Sequence, residues 1–419
     1  MSKAKSIIII GGGIIGLCTS YYAMRKGHRV TLVERGAPGH DSCVLGSAGF
    51  IAPSHFMPLA APGMVAMGLR MMWNPESPFY IRPRWSKELL SWAWKFYRAA
   101  TPAHVERSAP LLRDLNLASR RCFEELAETQ GNDFGLVKKG LLMLCKSAHR
   151  LEEEACAAEH AHQLGLAAEV LTPTQAAQLE PGIRMDIAGA VFFPQDCHLT
   201  PHRLVACLTR ALEKGGMTFS WSTEVTGWVV KNGSIQAVQT NRGELCAGEY
   251  VLAGGAWSPD LARPLNLRLP MQAGKGYSIT LPNPKRLPAI SSILTEARVA
   301  VTPMGPALRF GGTMEMAGLD RSINPSRVSG IIKSVQKYFP EFGPEDFRGV
   351  PVWCGLRPCS PDGLPYLGRF GRYSNLSVAT GHAMMGLSLG PITGKLIAEI
   401  LSDEKPALDL RLLHPDRYA

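Results

Sequence analysis

The run Ser6-Ile-Ile-Ile-Ile-Gly11-Gly-Gly13-Ile-Ile-Gly16 sets three glycines where a strand would turn sharply into a helix. That pattern suits a dinucleotide. Gly11 permits the tight turn, Gly13 lets a pyrophosphate approach the backbone, and Gly16 lets helix and strand pack closely. The helix start then offers free N–H groups and a positive dipole end to the phosphates. Val30-Thr-Leu-Val-Glu34-Arg35 follows one helix length later, and Glu34 can bind ribose hydroxyls from a strand end. A Gly-rich loop without ligand is the bland alternative. Far downstream, Arg357 in Gly355-Leu-Arg-Pro carries a guanidinium fork that meets a carboxylate bidentately and keeps its charge when buried. An internal ion pair with an acid such as Asp362 is the competing use.

These groups need elements to hold them. The apolar run at 6–10 and residues 29–33 read as buried parallel strands around a first helix. Residues 85–130 repeat apolar side chains at helical spacing, 136–145 read as strand, and Glu152–Leu164 as helix. Pro201–Gly215 reads as a helix with Thr200 as N-cap. Val225–Val230, Ser234–Thr240 and Glu244–Leu252 read as a three-stranded meander, with turns at Asn232-Gly233 and Asn241-Arg-Gly243. Pro391 suits the first turn of a C-terminal helix, so Thr380–Gly386 leads backbone N–H groups toward a bound ring.

The bulk numbers narrow the class. A 46% apolar chain of 419 residues with 42 Gly and 31 Pro is a globular α/β protein with room for two domains. Residues 7–24 carry no charge, but the glycine turn argues against a membrane span, and no cleavage site spares the glycines. The ten scattered cysteines read as reduced thiols of a cytoplasmic protein, with no metal site. A net charge of +10 favours an anionic partner such as a membrane surface, and no nucleic-acid partner is expected. Phe56–Trp73 holds Met57, Met64, Met67, Met71 and Met72, and Trp92, Trp94 and Phe96 follow. The plain reading is core packing. The functional one is an apolar lid or contact at the inner face of the membrane.

The meander and Gly254-Gly255-Ala-Trp257 separate this chain from a plain NAD domain, which continues as βαβ units. They are similar to FAD-binding folds. Ile10–Gly16, Gly46-Ser-Ala-Gly49, Leu59-Ala-Ala-Pro62-Gly63, Gly274-Lys-Gly-Tyr277-Ser, Gly355-Leu-Arg357-Pro and Thr380-Gly-His382 span nearly the whole chain. In this order they resemble the D-amino-acid-oxidase superfamily of flavoenzymes, most of all its D-amino-acid dehydrogenase branch. The resemblance implies a Rossmann-like FAD-binding domain (1–80, 195–262 and 348–419). It is interleaved with a β-sheet-plus-helices substrate domain (81–194 and 263–347).

It also implies FAD contacts at Gly11, Gly13, Ile14, Ile15, Gly16, Glu34, Arg35, Ser47, Ala48, Gly49, Val225, Gly254, Gly255, Trp257, Gly381, His382, Met384, Met385 and Gly386. Arg357 would hold the substrate carboxylate. Tyr277 would close over it, or else be a core tyrosine. His382 would lie near the flavin or hold its loop, and His55 would touch substrate. The implied reaction is hydride transfer from Cα of a D-amino acid to flavin N5, with electrons passed to a quinone or other acceptor. D-proline and 4-hydroxy-D-proline are among the expected substrates. Alternatives are a glycine- or sarcosine-type oxidase using oxygen, or a flavoprotein subunit of a larger dehydrogenase. One motif departs from the pattern: Cys43-Val-Leu-Gly-Ser-Ala-Gly stands where Thr-Ser-x-Ala-Asn-Ala-Gly is usual.

Overall fold

The computed structural model describes residues 3–72, 74 and 76–419. Trp73, at the end of the Met-rich run, lies outside the described residues. Ser6–Ile10 is a strand with all four isoleucines at most 4% exposed. Being apolar on both faces, it takes the centre of a parallel sheet, where both faces are covered. It pairs in parallel with Arg29–Val33 and with Glu249–Leu252. Among the described residues the full sheet is six-stranded: Thr218–Ser220 and Leu376–Thr380 extend it in parallel, and Tyr366–Arg369 closes one edge antiparallel to Leu376–Thr380. Helices Ile14–Arg25, Pro201–Lys214 and Gly390–Leu401 bury one face of it, through Ile7, Ile9, Leu17, Leu204 and Leu396. The meander buries the other face through Val225, Ile235 and Val238, which pack with Ile8 and Ile10.

The meander differs from the expectation in its third strand. Gly243–Leu245 pairs antiparallel with Ser234–Thr240, but Glu249–Leu252 joins the parallel sheet. Cys246-Ala-Gly248 separates the two, and Gly248 N–H donates to the Ser6 carbonyl at 3.1 Å. A segment that reads as one strand therefore serves two sheets, which local pattern does not show.

The second sheet has nine strands among the described residues. Gln272–Leu281 sits between Ala307–Met316 and Val352–Cys359, antiparallel to both. Helix Pro325–Tyr338 covers one face through Ile331 and Val335. Strand Val352–Cys359 lies inside the segment 348–419 assigned from sequence to the cofactor domain, yet it is hydrogen-bonded into this sheet. Residues 85–130 split into helices Lys87–Ala99 and Pro102–Thr129. Thr101 caps the second, accepting from His104 N–H at 3.3 Å, and Pro102 occupies its first turn, where a missing N–H costs nothing. In 136–145 only Leu141–Cys145 is strand. The ten cysteines are all unpaired.

Candidate active site

A cleft of about 640 Å³ opens between the two sheets. It falls within the range of about 300–1,000 Å³ usual for small-molecule sites. One wall is the glycine turn. Gly11 has φ +114°, and a Cβ there would sit 2.4 Å from the Ala253 carbonyl oxygen, so only glycine fits. Gly13 caps helix Ile14–Arg25 without a side-chain bond, which leaves the first amides free for a ligand. Its Cβ position has no atom within 4 Å. Glu34 is buried at the end of its strand and accepts from Gly12 N–H through Oε2 and from Gly36 N–H through Oε1, both at 2.7 Å. Each oxygen keeps a lone pair for a ligand hydroxyl. Arg35 stacks on the Trp257 ring at 4.0 Å.

Arg357 lines the opposite wall. Its guanidinium lies over Gly276, where a Cβ would come within 2.2 Å of Nη2. Nη1 donates to the Thr313 carbonyl at 2.7 Å, its one acceptor among the described residues. Thr313 has φ +67°, a strained conformation for a β-branched residue, and it turns that carbonyl toward the arginine. The expected competitor Asp362 is engaged elsewhere, since its carboxylate pairs with Arg417 at 2.7 and 3.0 Å. Burial pushes the Asp362 carboxyl up, but the Arg417 guanidinium outweighs it and holds the group below its ordinary value. Arg357 thus faces the cleft with N–H groups to spare.

Of the residues expected at the cofactor, Gly11, Gly13, Ile14, Ile15, Glu34, Arg35, Ser47, Val225, Gly254, Gly255, Trp257, His382, Met384 and Gly386 line the cleft. Gly16, Ala48, Gly49, Gly381 and Met385 do not. Gly16 packs on the turn, where a Cβ would meet the Gly11 carbonyl at 1.9 Å. Gly49 lies against the Leu199 carbonyl and Gly381 against Tyr366. Met385 packs on the core behind the cleft, and Ala48 is half-buried beside it. His382 is 3% exposed, and burial drives it down to about 3, so it is neutral. Its Nε2 lies 3.0 Å from Thr393 Oγ1, while Nδ1 has no partner.

Tyr277 and His55 correct the sequence reading. Tyr277 pairs with Cys354, so strand alternation puts it on the sheet face opposite Arg357. It is 1% exposed and donates to Glu315 Oε2 at 2.7 Å. The core alternative holds, and it cannot close over a ligand on Arg357. His55 lies outside the cleft, 3.1 Å from Ser54 Oγ. Ser54 Oγ and N–H donate to the buried Asp196 carboxylate at 2.5 and 3.1 Å, tying this loop to the turn before Cys197–His198.

Burial raises the Asp196 carboxyl from an ordinary 3.8 to about 7, against the opposing Ser54 bonds. The folded protein therefore binds this proton more tightly than the unfolded chain does. Asp196 contributes stability at acidic pH that is lost as pH rises from about 4 through 7. Relative to wild type, Asp196→Asn should gain stability across that window. Denaturant midpoints at both ends measure this, and an equal gap at both would sink the assignment.

Sequence reasoning missed Asp41, Arg321 and Trp353, all of which line the cleft. Only Trp353 left a signal, because it alternates with Gly355 and Arg357 on one strand.

The sequence profile described as FAD dependent oxidoreductase matches residues 6–400. The chain belongs to this family of FAD-dependent oxidoreductases. It is 32% identical to a D-amino acid dehydrogenase of Granulibacter bethesdensis over 99% of both chains. It is 30% identical to one of Paramagnetospirillum magneticum over 98% of both. Among solved structures it is similar to glycine oxidase from Geobacillus kaustophilus (TM-score 0.79, 24% identity, 99% of each chain covered). It is also similar to L-proline dehydrogenase from P. horikoshii (TM-score 0.75, 18% identity, 100% and 98% covered). The likeness to these structures is one of fold.

The cleft of this FAD-dependent oxidoreductase fits its cofactor. The helix-start amides have no side-chain cap and would take phosphate oxygens, Glu34 has lone pairs that would take ribose hydroxyls, and Ser47 Oγ and His382 Nδ1 are buried polar atoms without a partner among the described residues. Ala383, beside His382, is held at φ +48°, a second strained residue at the site.

Proposed function

We propose that this protein oxidises D-amino acids, D-proline and 4-hydroxy-D-proline among them, and passes the electrons to a quinone. The observation that carries this reading is Arg357, a cleft guanidinium with no carboxylate of its own chain within salt-bridge distance among the described residues. Relatives named D-amino acid dehydrogenase, at 30–32% identity over nearly the full length, support the substrate class.

Bound FAD supplies the two-electron acceptor. The chain does the rest by binding and orientation. Arg357 grips the substrate carboxylate, and Thr313 keeps the guanidinium flat over Gly276. Glu34 takes ribose hydroxyls, and the amides after Gly13 take the pyrophosphate. His382 is neutral, so its free Nδ1 offers a lone pair or an N–H without adding charge. No side chain is needed to abstract the Cα proton, because positioning the Cα–H is the main task.

The acceptor reading draws on helix Lys87–Ala99. Its inner face buries Trp92 and packs Phe96, with Trp92 Nε1 donating to the Cys359 carbonyl at 2.9 Å, two residues beyond Arg357. Its outer face exposes Leu90, Trp94 and Tyr97, after a fully exposed Trp85. Exposed Arg82, Lys87 and Arg98 flank this stripe. An apolar stripe rimmed by cations suits the interface of an anionic membrane, where a quinone resides. No helix among the described residues is long and apolar enough to cross a membrane.

The test is anaerobic. D-amino acids should bleach the flavin band of the holoprotein and L-isomers should not. Bleached protein should recover its colour with a water-soluble quinone and sediment with anionic vesicles. Bleaching by glycine or sarcosine alone, with reoxidation by oxygen, would favour an amine oxidase. No bleaching by any amino acid would overturn the reading.

A further inference from the structure

Trp353, Gly355 and Arg357 share one face of their strand. Gly355 pairs with Gly276 on the neighbouring strand. The Arg357 guanidinium lies over Gly276, and the Trp353 benzo lobe lies over Gly355, where a Cβ would come within 1.9 Å of Cη2. The two tips therefore converge over a single cross-strand glycine pair, whose Cα atoms lie about 5 Å apart in an antiparallel ladder.

The indole is held from several sides. Gly46 presses on its ring, since a Cβ there would fall 1.9 Å from Cε3. Nε1 donates to Asp41 Oδ1 at 2.5 Å, and Asp41 Oδ2 accepts from Arg321 at 2.5 Å. The ring cannot turn aside without breaking the Asp41 bond or colliding with the backbone at Gly46.

We propose that Trp353 is the specificity-determining wall of the site, favouring amino acids with small side chains and rejecting large ones. The inference rests on the reading that Arg357 binds the substrate carboxylate. A substrate anchored there has its Cα beside the indole edge, and its side chain must share the glycine-floored slot with that rigid ring. Asp41 is a positioning residue, acting through the indole.

The experiment uses the holoprotein, with Trp353→Ala and Trp353→Phe. Phe keeps a flat ring on Gly46 and lacks the lobe over Gly355. The kcat/KM ratio of D-phenylalanine to D-alanine should rise at least about tenfold in Trp353→Ala, and less in Trp353→Phe, as a pocket enlarged by a few carbon atoms allows. Dissociation constants for benzoate and acetate, read from perturbation of the flavin spectrum, should shift in the same sense. If Trp353→Ala does not fold, Trp353→Phe decides by the direction of its shift. Unchanged ratios in both assays would overturn the wall. If wild type oxidises no D-amino acid, the substrate reading fails, while the benzoate-to-acetate ratio still reports on the wall.

Discussion

Arg357→Ala should cost the enzyme roughly a hundredfold to ten-thousandfold in kcat/KM, two charge-assisted hydrogen bonds contributing about 1.5–3 kcal/mol each. The guanidinium spends one N–H on the Thr313 carbonyl and none on a carboxylate, so its charge is left for a ligand. Arg357→Lys should recover only part of the loss, since an ammonium on a flexible stem lacks the planar fork. Stopped-flow bleaching at varied substrate measures the effect. The visible spectrum before mixing reports whether the cofactor is still bound. A variant that binds FAD and turns over within about threefold of wild type would remove Arg357 from carboxylate recognition.

Arg417→Leu should destabilise the fold by about 3–5 kcal/mol, the usual cost of leaving a buried charge without its partner. The Arg417 and Asp362 side chains are 13% and 9% exposed. The guanidinium also stacks on Tyr366 at 3.9 Å and donates to the Leu364 carbonyl at 2.7 Å. Asp362→Asn in the same chain should return part of the loss, because the buried group would then be neutral. Urea midpoints for the single and double variants test this. Equal stability of wild type and Arg417→Leu would show that the pair is not what neutralises Asp362. The pair also matters to the site, because an unpaired Asp362 is the acid that sequence proximity offers to Arg357.

The sequence determined the parts whose chemistry is local. Three glycines after an all-apolar strand, and an acid at the end of the next strand, specify a tight strand-to-helix turn and a carboxylate beside it. Those residues stand at the cleft, except Gly16, whose role is packing. Residues 85–130 read from sequence as helical throughout, and the structure divides them at Thr101-Pro102, where a cap and a first-turn proline stand in adjacent positions. The Arg357 motif was legible as a charge with a fork, though not as a free one.

The tertiary structure decided everything that depends on which strands become neighbours. The glycine-rich motif left Tyr277 open between a lid and a core tyrosine, and the pairing of its strand turned it away from Arg357. One residue of register reverses the face of every side chain in a strand, and no local signal reports that register. The run 244–252 divided between two sheets because its halves found different partners. Asp41 and Arg321 are far apart in the chain and meet only because the fold brings two loops over one cleft. Asp362 and Arg357 are close in sequence, yet Arg417, near the end of the chain, takes the acid and leaves the cleft guanidinium free. Short-range pattern records turns, caps and burial, whereas the choice of charge partner depends on contacts between distant segments.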